Sequence, residues 1–74
     1  MMVRPTKVTN TIRSVREAAG MTQAEVARRV GVTRQTLIAI EQGRYSPTLE
    51  LAFQLARAFD ARLDDLFHYP DTED

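Results

Sequence analysis

Side chains able to do catalytic work are scarce in this chain of 74 residues. His68 is its one histidine, and there is no cysteine to serve as a nucleophile, a thiolate ligand or half of a disulfide. Asp64 and Asp65 are adjacent, so on a helix they diverge rather than face each other. No glycine-rich phosphate loop is present. His68 with Asp71, Glu73 and Asp74 would make a weak cation site at best, and an acidic run of that kind is usually solvated. No metal and no cofactor are expected, and no enzyme. The chemistry that remains is recognition by hydrogen bonds. Thr33-Arg34-Gln35-Thr36 sets a guanidinium fork and a carboxamide between two hydroxyls.

Charge gives a second hint. The net charge is zero, yet it is unevenly spread. Residues 1–45 carry eight cations, among them Arg4, Lys7, Arg28 and Arg29, against Glu17, Glu25 and Glu41, a net of +5. Residues 46–74 carry Arg57 and Arg62 against seven acids, a net of −5. One half could attract phosphate while the other faces away. Ordinary scatter of surface charge would look the same, so the split does not decide by itself.

The elements that must hold these residues are short helices cut by glycines and capping residues. Asn10 can cap a helix from Thr11 to Ala19, with Ile12, Val15 and Ala19 on one face and Gly20 as its stop. Thr22-Gln23-Ala24-Glu25 has the form of a capping box, in which the Thr22 hydroxyl and the Glu25 carboxylate satisfy each other's backbone N–H groups. This opens a second helix to Val30, with Val26, Ala27 and Val30 inward and Gly31 as the break. Thr33 caps a third helix to Gln42, with Leu37 and Ile40 inward and Gly43 after it. Arg44-Tyr45-Ser46-Pro47 is a loop. Thr48 caps a fourth helix to Phe59, and a short fifth lies near Leu63 to Phe67. Lys7-Val8-Thr9 is β-prone, and its one candidate partner is Phe67-His68-Tyr69, in an antiparallel pair.

The expected fold class is all-α, a compact five-helix domain over residues 10–67, with a short antiparallel strand pair from the two ends as an open alternative. Residues 1–9 form an arm or strand, and residues 68–74 a strand or acidic tail. Only Gly31-Val32 separates the second and third helices. A turn this short and containing glycine forces a sharp crossing, as in a helix-turn-helix over residues 22–42. A plain helical hairpin in a small bundle fits the spacing equally well.

The residue pattern itself separates the two. Gln23-Ala24-Glu25-Val26-Ala27, Val30-Gly31-Val32-Thr33-Arg34-Gln35-Thr36-Leu37 and Ile40-Glu41-Gln42-Gly43-Arg44-Tyr45-Ser46-Pro47-Thr48-Leu49 resemble the lambda-repressor-like, XRE-type helix-turn-helix family of transcriptional regulators. The likeness spans about residues 10–67. It implies binding of double-stranded DNA, with the helix that begins at Thr33 in the major groove. Arg34 then suits guanine O6 and N7, and Gln35 suits adenine N6 and N7. Thr36 and Ala39 are the further base-reading positions, where alanine offers only a methyl. Ile38, apolar beside this face, either meets a thymine methyl or packs on the domain. Phosphate contacts are expected from Gln23 and Thr33 on one side and from Gln42, Arg44 and Tyr45 on the other. Arg16 and Glu41 are expected to form a structural ion pair. Arg28 and Arg29 read as solvated.

The fourth helix is apolar except for a narrow stripe of Glu50, Gln54 and Arg57, more apolar surface than so small a chain can cover. A homodimer is expected, joined through Phe53, Leu63, Leu66, Phe67 and Tyr69. Repression is the expected mode of regulation. The start of the chain has no apolar stretch of a secretory signal, and no run is long enough to span a membrane, so a cytoplasmic, nucleoid-associated protein is expected. The competing expectation is a protein-interaction module, such as an antitoxin or an adaptor that keeps the fold but binds chiefly a protein.

Overall fold

A computed structural model of the chain describes residues 6–70. The element order is β1 (Thr9–Asn10), α1 (Ile12–Ala18), α2 (Gln23–Val30), α3 (Arg34–Glu41), α4 (Leu49–Phe59), α5 (Leu63–Leu66) and β2 (Phe67–His68). Five helices and an antiparallel strand pair are therefore present, and the boundaries follow the caps. The Thr22 hydroxyl accepts from the Glu25 amide at 3.0 Å, and the Glu25 carboxylate accepts from the Thr22 amide at 2.8 Å. Thr33 and Thr48 accept from the amides of Thr36 and Leu51, both at 3.1 Å. Gly31 ends α2 at φ +76°, a left-handed geometry that a side chain would strain. Such caps contribute about 1 kcal/mol each, which matters for helices of eight to eleven residues that are unstable alone.

One core joins all five helices. Ile12, Val26, Leu37, Ile40, Leu55 and Leu66 are its largest fully buried side chains, one or two from each helix. Each contributes roughly 1.5–3 kcal/mol by leaving water. The α2 helix packs on both α3 and α4, and α5 packs on α4, so α2 is the element against which α3 is aimed.

The ends of the described chain meet. Thr9 pairs with His68 and Asn10 with Phe67. The expected segments do pair, but displaced toward Asn10, because the Thr11 amide donates to Leu66 O at 2.9 Å and fixes the register at that end. Asn10 Oδ1 accepts from the Ile12 amide at 3.1 Å, but the cap position falls to Thr11, whose side chain makes no capping bond, so α1 starts one residue later than expected, at Ile12. Ala19, expected inward, is exposed, and α1 buries Arg16 instead. Residues 1–5 and 71–74, with Arg4, Asp71, Glu73 and Asp74, lie outside the described residues.

Candidate nucleic-acid interface

The α3 helix is a ridge with a groove on each side. Its first turn puts Arg34 and Gln35 fully outward, because Leu37 and Ile40 anchor the opposite face. One groove is lined by Arg34, Ile38 and Glu41 from α3, by Gln42 just past its end, and by Arg13, Arg16 and residues 21–24 from α1 and the start of α2. The other is lined by Thr33, Gln35, Thr36, Ala39 and Tyr45. The structure thus divides the four expected base-reading residues: Arg34 borders one groove, and Gln35, Thr36 and Ala39 border the other. Ile38, half-buried, belongs to the Arg34 side.

A buried ion pair sets the base of the first groove. Arg16 Nε donates to Glu41 Oε2 at 2.7 Å, Nη2 to Oε1 at 3.4 Å, and Nη1 to the Met21 carbonyl at 3.0 Å. Both side chains are nearly removed from water, at 10% and 4% exposure. The hydrogen bond to Glu41 raises the Arg16 pKa above its ordinary value, against the opposing effect of burial. This pair ties the last residue of α3 to α1 and to the turn before α2. It therefore sets the angle at which α3 projects.

The residues expected at phosphate fare unequally. Gln42 and Arg44 are exposed, and Tyr45 is 44% exposed. Gln23 is half-buried, and its Nε2 donates to Glu41 Oε1 at 3.2 Å. The donor end of that side chain is thus held by Glu41, a bond the resemblance gave no sign of. The backbone amides of Gln23 and Ala24, in the first turn of α2, have no partner among the described residues. With the helix dipole behind them they form an anion-attracting end. Thr33 spends its hydroxyl inside the helix, accepting from the Thr36 amide and donating to Thr36 Oγ1 at 3.0 Å. Arg28 and Arg29 are exposed, and Arg29 donates to the Ala58 carbonyl at 3.3 Å.

The apolar residues expected at a chain–chain contact also divide. Phe53 is 51% and Tyr69 69% exposed, while Leu63 and Phe67 are half-buried. Leu66 is fully buried within its own chain, so it leaves the expected contact set. As the last residue of α5 it belongs to the core cluster. Leu49, which the sequence reading passed over, is 68% exposed and lies with Val8, Pro47, Ala52, Leu63 and Phe67 along one apolar groove. Its position one turn before Phe53 on α4 was the available signal.

Among the described residues no group of three or more histidine, aspartate and glutamate side chains is placed to hold a metal ion. No described helix is long and apolar enough to cross a membrane.

Comparison with known proteins agrees with this geometry. The helix-turn-helix family model matches residues 12–66. An uncharacterized HTH-type transcriptional regulator of Archaeoglobus fulgidus is 50% identical over 62 residues, 84% of this chain and 89% of that protein. Among solved structures, the restriction-modification controller protein C.AhdI of Aeromonas hydrophila superposes with a TM-score of 0.69 at 28% identity, over 73% of this chain and 82% of its own. A protein from Bacteroides fragilis described as DNA-binding shares the fold with a TM-score of 0.76, at 18% identity, over 82% and 98% of the two chains.

Proposed function

The chain belongs to the XRE-type helix-turn-helix family of DNA-binding transcriptional regulators, and from that premise we propose that it is a sequence-specific repressor that binds double-stranded DNA as a homodimer, with α3 in the major groove. The observation that carries the reading is the first turn of α3, where Arg34 and Gln35 stand outward on a helix whose other face is locked into the core. A guanidinium fork fits guanine O6 and N7, and a carboxamide fits adenine N6 and N7. Thr36 and Ala39 complete the reading face.

Phosphates flank it. On one side are the unpartnered amides of α2, where Gln23 contributes through its backbone. On the other are Gln42, Arg44 and Tyr45, with Thr33 at the start of α3. Repression needs only occupancy of a site, which these surfaces supply. A regulator of this kind works at the nucleoid, in the cytoplasm. The apolar surface of Leu49, Phe53, Leu63 and Phe67, with Tyr69 nearby, is proposed to join two copies. Two copies would set their α3 helices at half-sites about 34 Å apart, or a multiple of that.

Binding to random duplex DNA over a salt series tests the reading. Affinity that falls steeply as salt rises is expected, because displaced counterions return to the DNA. No binding at low salt would overturn it in favour of a protein-interaction module such as an antitoxin or adaptor. Selection of bound sites from a random library should return paired half-sites. Light scattering over a concentration series should show a dimer, and a monomer throughout would refute the dimer.

A further inference from the structure

The Asn10 side chain is not the cap of α1, and a strand of two residues makes no demand on it. Its carboxamide instead spans two elements. Oδ1 accepts from the Ile12 amide at 3.1 Å, and Nδ2 donates to the Ile40 carbonyl, in the last turn of α3, at 2.7 Å. Reversing the carboxamide would set oxygen against a carbonyl and nitrogen against an amide, so the two contacts fix each other. The backbone beside it is tied to α5 and β2. Asn10 pairs with Phe67, the Thr11 amide donates to the Leu66 carbonyl at 2.9 Å, and the Thr11 hydroxyl donates to the Asp65 carbonyl at 2.8 Å.

We propose that Asn10 is a positioning residue for DNA recognition, which ties the end of α3 to the β1–β2 pair and so aims its first turn. The inference rests on α3 meeting DNA. Leu37 and Ile40 hold α3 against the core, but apolar burial is not directional. Two polar ties supply the direction. The Glu41 side chain binds Arg16 and Gln23, and the carbonyl of the preceding residue, Ile40, binds Asn10. Arg34 lies about 9 Å along the helix from Ile40, at about 1.5 Å per residue. A tilt of about 10° at the held end would move the first turn by about 1.6 Å, more than the roughly 0.5 Å that a binding constellation tolerates. The Ile40 carbonyl also accepts from the Gly43 amide at 3.0 Å, so loss of the Asn10 donor strands no acceptor there. The bond therefore serves direction more than stability. The side-chain chemistry is selective: an aspartate could accept from Ile12 but would offer Ile40 an oxygen, and a serine is too short to span both. The strand pair thereby gains a part in recognition without touching DNA.

The test uses the full chain with Asn10→Asp, which keeps the shape and the Ile12 contact, and Asn10→Ser, which removes the donor without adding charge. Residual dipolar couplings of the free protein read the angle between α2 and α3, and both variants should change it by about 5° or more. In Asn10→Ser, affinity for a duplex obtained by selection should fall about five- to twentyfold, and affinity for random duplex at low salt less than about threefold. Its melting temperature should stay near that of the parent chain. An unchanged angle in both variants overturns the proposal, and so does an unchanged ratio of selected to random affinity. Variants that fail to fold overturn it as well, because the bond would then serve stability. Failure of the parent chain to bind any duplex at low salt overturns the DNA reading itself, a result distinct from these.

Discussion

Helices α3 and α4 bury similar apolar faces and differ in what they turn outward. The α3 helix anchors itself with Leu37 and Ile40 and exposes Arg34 and Gln35, with Gln42 just past its end. The α4 helix anchors itself with Leu51, Ala52, Leu55 and Ala56, yet exposes Leu49 and Phe53 beside Glu50, Gln54 and Arg57. A surface built for the edges of bases can stay polar, because its target is polar. A helix that leaves a leucine and a phenylalanine in water one turn apart carries surface suited to another apolar face. On the proposed function the contrast divides the labour of the chain: α3 would meet DNA and α4 a second copy.

The strongest way to break the contrast is to remove what holds α3 at its angle. Glu41→Ala should destabilise the fold by about 3–5 kcal/mol, since it strands the Arg16 charge in a site with almost no water. Denaturant unfolding with a lowered midpoint checks this, and a loss under 1 kcal/mol would mean the pair does little. Arg34→Ala sharpens the comparison from the other side. It should cost about 1–3 kcal/mol on the selected DNA site, relax the preference at one position and leave unfolding unchanged. Arg44→Ala should instead weaken binding to all sequences alike and lower the salt slope. If Arg34→Ala behaved as Arg44→Ala is expected to, Arg34 would touch phosphate. Phe53→Asp should weaken self-association about tenfold or more, roughly 1.4 kcal/mol, with the monomer fold intact by circular dichroism. An unchanged dimer would take α4 out of the interface.

The smallest expected effect is a pH dependence at the start of α2. The Thr22 backbone hydrogen bond holds the exposed Glu25 carboxyl below its ordinary value. A carboxyl lowered on folding stabilises the chain above the ordinary glutamate range, and that contribution is lost as pH falls through the lowered pKa. Glu25→Gln should flatten a slight acid-side decline between about pH 5 and 3, measured by thermal melts against the parent chain. The same decline in both proteins would assign it to other carboxylates.

Much of this was legible in the sequence because local signals and burial agree there. Thr22 with Glu25, and Thr33 and Thr48, mark helix starts by hydrogen bonds made within four residues, and the spacing of Leu37 and Ile40 fixes which face of α3 is left over. The misreadings fall where tertiary contact outweighs local pattern. Ala19 fits an apolar stripe, but the guanidinium of Arg16 takes the inside position because Glu41, far along the chain, neutralises it. Leu66 looked like surface because α5 is a single turn, yet it joins Ile12, Leu37 and Leu55 in the one core. The end of α4 at Phe59 is where the sequence places it, and Asp60 closes the helix in a left-handed conformation at φ 53°, which aspartate enters more readily than most side chains. The amide of Gln23 was assigned outward from its place at a helix start; its bond to Glu41 depends on α2 and α3 being already crossed.

Asn10 touches more of the molecule than a residue in a two-residue strand would suggest. It pairs with Phe67, accepts from the Ile12 amide, and donates from Nδ2 to the Ile40 carbonyl at 2.7 Å. Under tension applied at the two ends of the chain, the β1–β2 pair is loaded so that its bonds peel one after another rather than shear together. It should yield at low force. Its release would pull Asn10 from the last turn of α3. The first mechanical event would therefore be felt at α3.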